Sequence, residues 1–204
     1  MNEIDVVKKL ISLIPKDQMY DQFVRTCTNC QSCVLHKDRK NVVVGDGNHS
    51  ADLMLVGEAP GKKEDEVGTP FIGQAGKQLD KILDYVKIKR ENIYITNSIL
   101  CRPPSNRSPL FTEEIMMCNN RLLCQIYLVQ PKVIVALGKT ALQSLLREEI
   151  KGPLQEYIDR DDLKLKIGEY EVDIIVTYHP AYLMRQPSAK VEAAKHWQKV
   201  KEKI

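Results

Sequence analysis

Four short runs rich in Val and Ile constrain the fold of this chain more than any other feature: DLMLV (52–56), NIYIT (92–96), KVIVA (132–136) and DIIVTY (173–178). Each is long enough for a buried strand and too short for a buried helix, and amphipathic stretches lie between them. GKQLDKILDYVKI from Gly76, TEEIMMCNNRLLCQIYLV from Thr112 and KTALQSLLREE from Lys139 read as helices, and AKVEAAKHWQKVKEKI closes the chain as a last one. Thr112 and the acidic pair after it look like an N-cap and a dipole-favoured first turn. Strands alternating with helices predict an α/β protein with a central parallel sheet of about four strands covered by helices.

Length and composition set the outer bounds. With 204 residues, 43% hydrophobic and 28% charged, the expectation is one globular domain over 1–204, with a helical segment at 1–26 ahead of the main body. The first twenty residues interleave charges with apolar positions, unlike a secretory leader, and no later run reaches membrane-spanning length. A cytoplasmic protein with no membrane partner is expected. In that compartment the six cysteines read as metal ligands or buried thiols rather than disulfides. A net charge of +3 is too small to point to a nucleic acid, so such a partner must be argued from local clusters.

The residues at the strand ends carry the chemistry. GEAPG, Asn97, a Leu-Gly pair and a His-Pro pair stand directly after the four runs. In open α/β sheets the ligand crevice lies outside the carboxyl ends of the strands, so these residues are predicted to converge on one pocket. Gly, Asn and Pro also serve ordinary turns, but Glu58 and His179 are not needed to make one.

The cysteines divide unevenly. Cys30 and Cys33 form a C-x2-C pair, and Cys101 and Cys118 lie far downstream with sixteen residues between them. Two thiolates from a loop and two distant ones suit a four-sulfur shell around zinc or an iron-sulfur cluster, and spacing alone does not choose between them. Cys27 leaves a 27/30 pairing open beside 30/33. Cys124, six residues after Cys118 in one predicted helix, falls about 600° round and on another face.

The segment GEAPGKKEDEVGTPFIGQAG (57–76) lacks the glycine spacing of a phosphate loop. Taken with NSILCRPPSNRSP (97–109), C-x3-L-x2-Q (118–125), PKVIVALG (131–138) and HPAYLMR (179–185), it closely resembles the family 4 uracil-DNA glycosylases, over about residues 27–200 and with the motifs in order. That resemblance implies a three-layer α/β/α fold and a structural 4Fe-4S cluster on Cys30, Cys33, Cys101 and Cys118, leaving Cys27 as an extra thiol. It also implies an enzyme that flips uracil out of single- or double-stranded DNA, acts as a monomer near the nucleoid, and leaves an abasic site for repair.

The same resemblance implies a uracil pocket formed by the Gly57-Glu58-Ala59 backbone, Phe71, Asn97 and His179. Phe71 supplies a stacking face. A fixed Asn97 amide accepts from uracil N3-H and donates to O4, and cytosine presents the inverse pattern. His179, with backbone N-H groups near Ala59, is assigned to the departing uracil anion. Ala59 stands where other families place a water-activating Asp, so Glu58, Glu64 and less strongly Asp65 are the candidates to position water. Asp65 is otherwise expected in a solvated acidic face. No lysine required by the pattern marks a Schiff base, so hydrolysis without strand cleavage is expected.

Arg102, Asn106 and Arg107 in the proline-stiffened loop, with Arg185, Lys62, Lys63 and Lys190, are candidates for DNA phosphates. Leu183, with Tyr182 and Met184, is the candidate wedge into the base stack.

Overall fold

The chain is described by a computed structural model over residues 15–204. The expected helical segment 1–26 lies partly outside the described residues; its remainder belongs to α1 (Lys16–Thr28). The strands are β1 (Asp46–Gly47), β2 (Leu53–Gly57), β3 (Tyr94–Asn97), β4 (Val133–Leu137), β5 (Lys164–Ile167) and β6 (Tyr170–Thr177), in the order β1-β3-β2-β4-β6-β5. The four apolar runs form the parallel centre of this sheet, from β3 through β2 and β4 to β6.

Two strands add to the expected four. Both are antiparallel edges, β1 on β3 and β5 on β6. β1 is only Asp-Gly and carries no apolar signal. The sequence KLKI of β5 alternates exposed and buried positions, as an edge strand with one wet face should.

The helices are α2 (Lys62–Val67), α3 (Gln74–Val86), α4 (Met116–Val129), α5 (Lys139–Leu146), α6 (Gln155–Ile158), α7 (Pro180–Arg185) and α8 (Lys190–Lys203). Successive strand side chains point to opposite faces, and each face is covered. Met54, Val56, Ile134, Ala136, Ile174 and Val176 pack with Leu122, Ile126 and Val129 of α4 and with Leu142 and Leu145 of α5. On the other face, Leu55, Ile95, Val135 and Ile175 meet Leu79 and Leu83 of α3 and Trp197 and Val200 of α8. The result is the expected three-layer α/β/α arrangement. Burial of each large apolar side chain contributes about 1.5–3 kcal/mol, which holds the sheet as a rigid platform.

One helix start departs from expectation. Thr112 is not an N-cap: Phe111–Ile115 is a π-helical turn entered from Leu110, and no side chain caps it in the usual way. Glu114 reaches back instead, its Oε2 accepting from Leu110 N at 2.9 Å.

From β2 the chain adds β3 on one side, with α3 on one face, then crosses back with α4 on the other face to add β4. The carboxyl ends of these strands therefore border a topological switch point, where α/β sheets bind ligands.

Candidate active site

Three strand ends and one loop meet at this switch point. Gly57 ends β2 and Asn97 ends β3, paired in register. A Cβ on Gly57 would stand 2.4 Å from Asn97 Oδ1 and 2.5 Å from Phe71 Cζ, so only glycine lets the amide and the ring close on the strand. Asn97 is 2% exposed, and its Oδ1 has no hydrogen-bond partner. A buried acceptor left unpaired costs about 1–3 kcal/mol, and such an atom in a cleft wall is poised for a donor from a ligand.

Phe71 is buried and holds a left-handed backbone at φ 52°. Glu64 explains the turn around it: its Oε1 accepts from Ile72 N at 3.0 Å and Gly73 N at 2.7 Å. Asp65 ties a second loop, its Oδ1 accepting from Lys40 N at 2.9 Å and Asn41 N at 3.2 Å. The expected solvated face at Asp65 is thus corrected, since Glu64 and Asp65 are both buried as loop braces. Their backbone partners engage the carboxylates that would otherwise have been open to water.

His179 follows β6 and has the extended backbone expected before Pro180, with φ −62° and ψ 139°. It caps α7: its Nδ1 accepts from Ala181 N at 3.2 Å. Burial, with a smaller contribution from Arg185, lowers its pKa to about 4. The ring is therefore neutral at pH 7, and because Nδ1 accepts, the proton sits on Nε2 as a donor. Phe71 and His179 lie with ring centroids 5.8 Å apart and planes tilted by 36°. Gly138, after β4, adopts φ 94°, and a Cβ there would come within 3.3 Å of His179 Cβ.

Glu64, Phe71, Asn97 and His179, together with Glu58 and Ala59, line a cleft of about 760 Å³, while Gly57 and Gly138 stand behind its wall without lining it. Thr140 Oγ1 donates to Glu58 Oε2 at 2.7 Å, and Glu58 remains half-buried at the cleft wall. Lys62, Lys63, Asn106, Arg107 and Arg185 stand on the rim, so the cleft combines an apolar and amide-lined floor with a cationic mouth.

Other predicted contacts are placed differently. Arg102 and Leu183 do not line the cleft. Arg102 Nε donates to Asn106 Oδ1 at 2.7 Å. Arg107 reaches the rim but is bonded through both terminal nitrogens to Glu114, at 2.8 and 2.6 Å. That bond holds the Glu114 carboxyl below its ordinary pKa. Leu183 is 1% exposed, a correction to its wedge role, because helix α7 turns that side chain into the core; Tyr182 and Met184 are the exposed apolar residues of the segment.

Cys30, Cys33, Cys101 and Cys118 line one cavity with Leu35, Arg39 and Arg121, although a loop, a strand-end segment and α4 supply them. Cys27 is wholly buried nearby but does not line this cavity, and Cys124 is exposed elsewhere on α4. Arg39 Nη1 donates to Cys101 Sγ at 3.5 Å. Among the described residues no three Cys, His, Asp or Glu side chains form a group that could hold a metal ion. The donor set still fits a cluster in kind, because a four-iron cluster is held through four thiolates that lie around it.

Sequence reasoning missed Glu114 and Thr140, and it gave Glu64 a water-positioning role where the structure gives it a loop-bracing one. Glu64 stands at the third position of α2 after Gly61, where a carboxylate often serves local backbone donors, and that spacing was the available signal. Glu114 and Thr140 gave none, since their partners are distant or depend on an unusual turn.

The chain matches the family model of the Uracil DNA glycosylase superfamily over residues 44–202. A Type-4 uracil-DNA glycosylase of Archaeoglobus fulgidus is 38% identical over 191 residues, covering 89% of this chain and 92% of the relative. One from Pyrobaculum aerophilum is 41% identical over 82% of this chain and 85% of its own length. A third, from Thermotoga maritima, is 41% identical over 78% and 80%.

Proposed function

This chain belongs to the type-4 uracil-DNA glycosylases, and we propose that its strand-end cleft takes a uracil extruded from DNA and hydrolyses the N-glycosidic bond, leaving an abasic site. The observation that carries this reading is the buried, unpartnered Oδ1 of Asn97. Uracil N3-H is a donor that would satisfy it, with the amide nitrogen donating to O4. Cytosine offers an acceptor at N3 and would leave Oδ1 unpaired, a penalty a buried site cannot offset.

Phe71, packed against Gly57 and facing His179, provides the apolar surface on which an extruded base stacks. Bond cleavage leaves negative charge on uracil O2. A neutral His179 with its proton on Nε2 donates a hydrogen bond to that oxygen without itself giving up a proton. One preorganised donor of this kind is worth about 10²- to 10³-fold in rate. Glu58, at the cleft wall, positions the water that attacks C1′.

The cationic rim at Lys62, Lys63 and Arg185 suits DNA phosphates. Tyr182 and Met184, exposed beside it, are the side chains available to fill the gap left by the extruded base.

Cys30, Cys33, Cys101 and Cys118 would hold a 4Fe-4S cluster whose role is structural, since hydrolysis moves no electrons. The convergence of these four thiols, without Cys27 or Cys124, on one cavity beside Arg39 and Arg121 supports that assignment. The absorption spectrum of anaerobically purified protein checks it, and a colourless preparation with stoichiometric zinc would overturn it.

The function itself is tested by incubating the protein with single- and double-stranded DNA carrying one uracil, then cleaving abasic sites with alkali. Cleavage at the uracil position is expected. Intact DNA from both substrates would contradict the reading.

A further inference from the structure

Glu58 is held by a residue from another strand end. Thr140, in the first turn of α5, donates from Oγ1 to Glu58 Oε2 at 2.7 Å and does not itself line the cleft. Oε1 of Glu58 accepts from no protein group among the described residues. One oxygen is therefore fixed from behind, and the other keeps its acceptor capacity on a side chain that lines the cleft.

The bond sits in a rigid frame. Ser98, wholly buried after Asn97, donates from Oγ to Gly57 O at 2.9 Å and lies 3.4 Å from Thr140 O. Ser98 N also donates to Gly57 O at 2.9 Å. On the far side, Gly138 N donates to Thr177 O at 2.8 Å, joining the end of β4 to that of β6. The ends of β2 and β3 and the start of α5 are thus tied around Glu58. A carboxylate on a flexible side chain gains a defined direction only from such support, and misplacement by about 1 Å can cost on the order of 100-fold in rate.

We propose that Thr140 is a positioning residue for hydrolysis, orienting the Glu58 carboxylate so that its free oxygen receives the attacking water. This inference rests on the hydrolase reading of the cleft. In the step, the C1′–N1 bond breaks with its electron pair leaving on uracil. The water oxygen bonds to C1′, and one water proton passes to Glu58 Oε1. Thr140 touches neither water nor base and acts only through Glu58.

The test is single-turnover release of uracil from a single-stranded oligonucleotide by wild type, Thr140→Val, Thr140→Ser, Glu58→Gln and the Thr140→Val/Glu58→Gln pair. Thr140→Val keeps the shape and loses the donor, so the maximal rate is expected to fall by about 10- to 100-fold with half-saturation little changed. Thr140→Ser restores the hydroxyl and the rate. In the Glu58→Gln background Thr140→Val is expected to add less than about twofold, because the two residues act as one unit. A residue that only supported the fold would lower both backgrounds alike.

A rate for Thr140→Val within about twofold of wild type, or losses that multiply in the double variant, would overturn the proposal. Where Thr140→Val fails to fold, as read by melting temperature, Thr140→Ala against Thr140→Ser makes the same comparison. Wild-type protein that releases no uracil overturns the functional reading and this inference with it. Active wild type with an equally active Thr140→Val overturns this inference alone.

Discussion

The strand-end cleft and the cysteine-lined cavity are built on opposite terms. Around the cleft, Gly57, Asn97 and His179 stand at or just past the ends of strands whose flanks are packed on both faces, so their positions are set by the sheet. That rigidity is what allows Asn97 Oδ1 to stay buried and unpaired. Around the other cavity, the cysteines come from irregular chain and the first turn of α4, and Cys33, Cys101 and Cys118 pack in a small cluster with Leu35, Ile99 and Ile115. Burial pushes the Cys118 thiol up to about 12, and it raises Cys101 as well. Substitutions should therefore cost rate in the first region and fold in the second.

The largest effect tests the second half of that contrast. Cys101→Ser removes a proposed ligand, and since the binding energy of a structural metal group is folding energy, the loss should be on the order of 5–10 kcal/mol. Soluble yield and the melting transition check this. A variant that melts like wild type would show that the cysteine region holds itself without a bound group.

Gly57→Ala comes next and tests the first half. Its new methyl would meet Asn97 Oδ1 and Phe71 at 2.4–2.5 Å, so the amide and ring must move. A fall of about 10²- to 10³-fold in single-turnover rate is expected, with about 1–3 kcal/mol of overpacking cost. Global unfolding of this variant would erase the distinction between the regions.

Glu114→Gln probes the loop that joins them. Glu114 is fully buried and takes three donors, from both Arg107 terminal nitrogens and Leu110 N. The amide cannot accept them all, so the melting temperature should fall by a few degrees while the rate changes by less than about tenfold. The smallest effect is that of pH on His179. Between its ordinary value of 6.5 and its folded value of about 4, the unfolded chain binds a proton that the folded chain refuses. Stability contributed by this group is whole above 6.5 and declines as pH falls towards 4, and the rate profile should show no inflection near 6.5 from His179. Melting curves across this range, with His179→Gln as reference, measure it.

Much of the cleft was legible because its positions follow from topology. Once four apolar runs read as parallel strands, Glu58, Asn97 and His179 had to lie at one edge of the sheet. The edge strands were not legible, β1 being two polar-turn residues and β5 a single KLKI repeat. Long-range partners were also hidden. Nothing local to Thr140 says that it will meet Glu58, because that pair forms only after the sheet has assembled, and Arg107 meets Glu114, seven residues on, only because the π-helical turn at Phe111–Ile115 brings that carboxylate back. Leu183 fell inward for a similar reason, since a three-residue apolar run does not say which side chain a short helix will bury.

Base reading by this protein centres on the unpartnered amide of Asn97, and its direct test is the ratio of single-turnover uracil-release rates between wild type and Asn97→Ala. With the base-reading amide lost and the sheet around it intact, the ratio should be about 10² to 10³. A ratio near one would mean that the buried acceptor does not read the base.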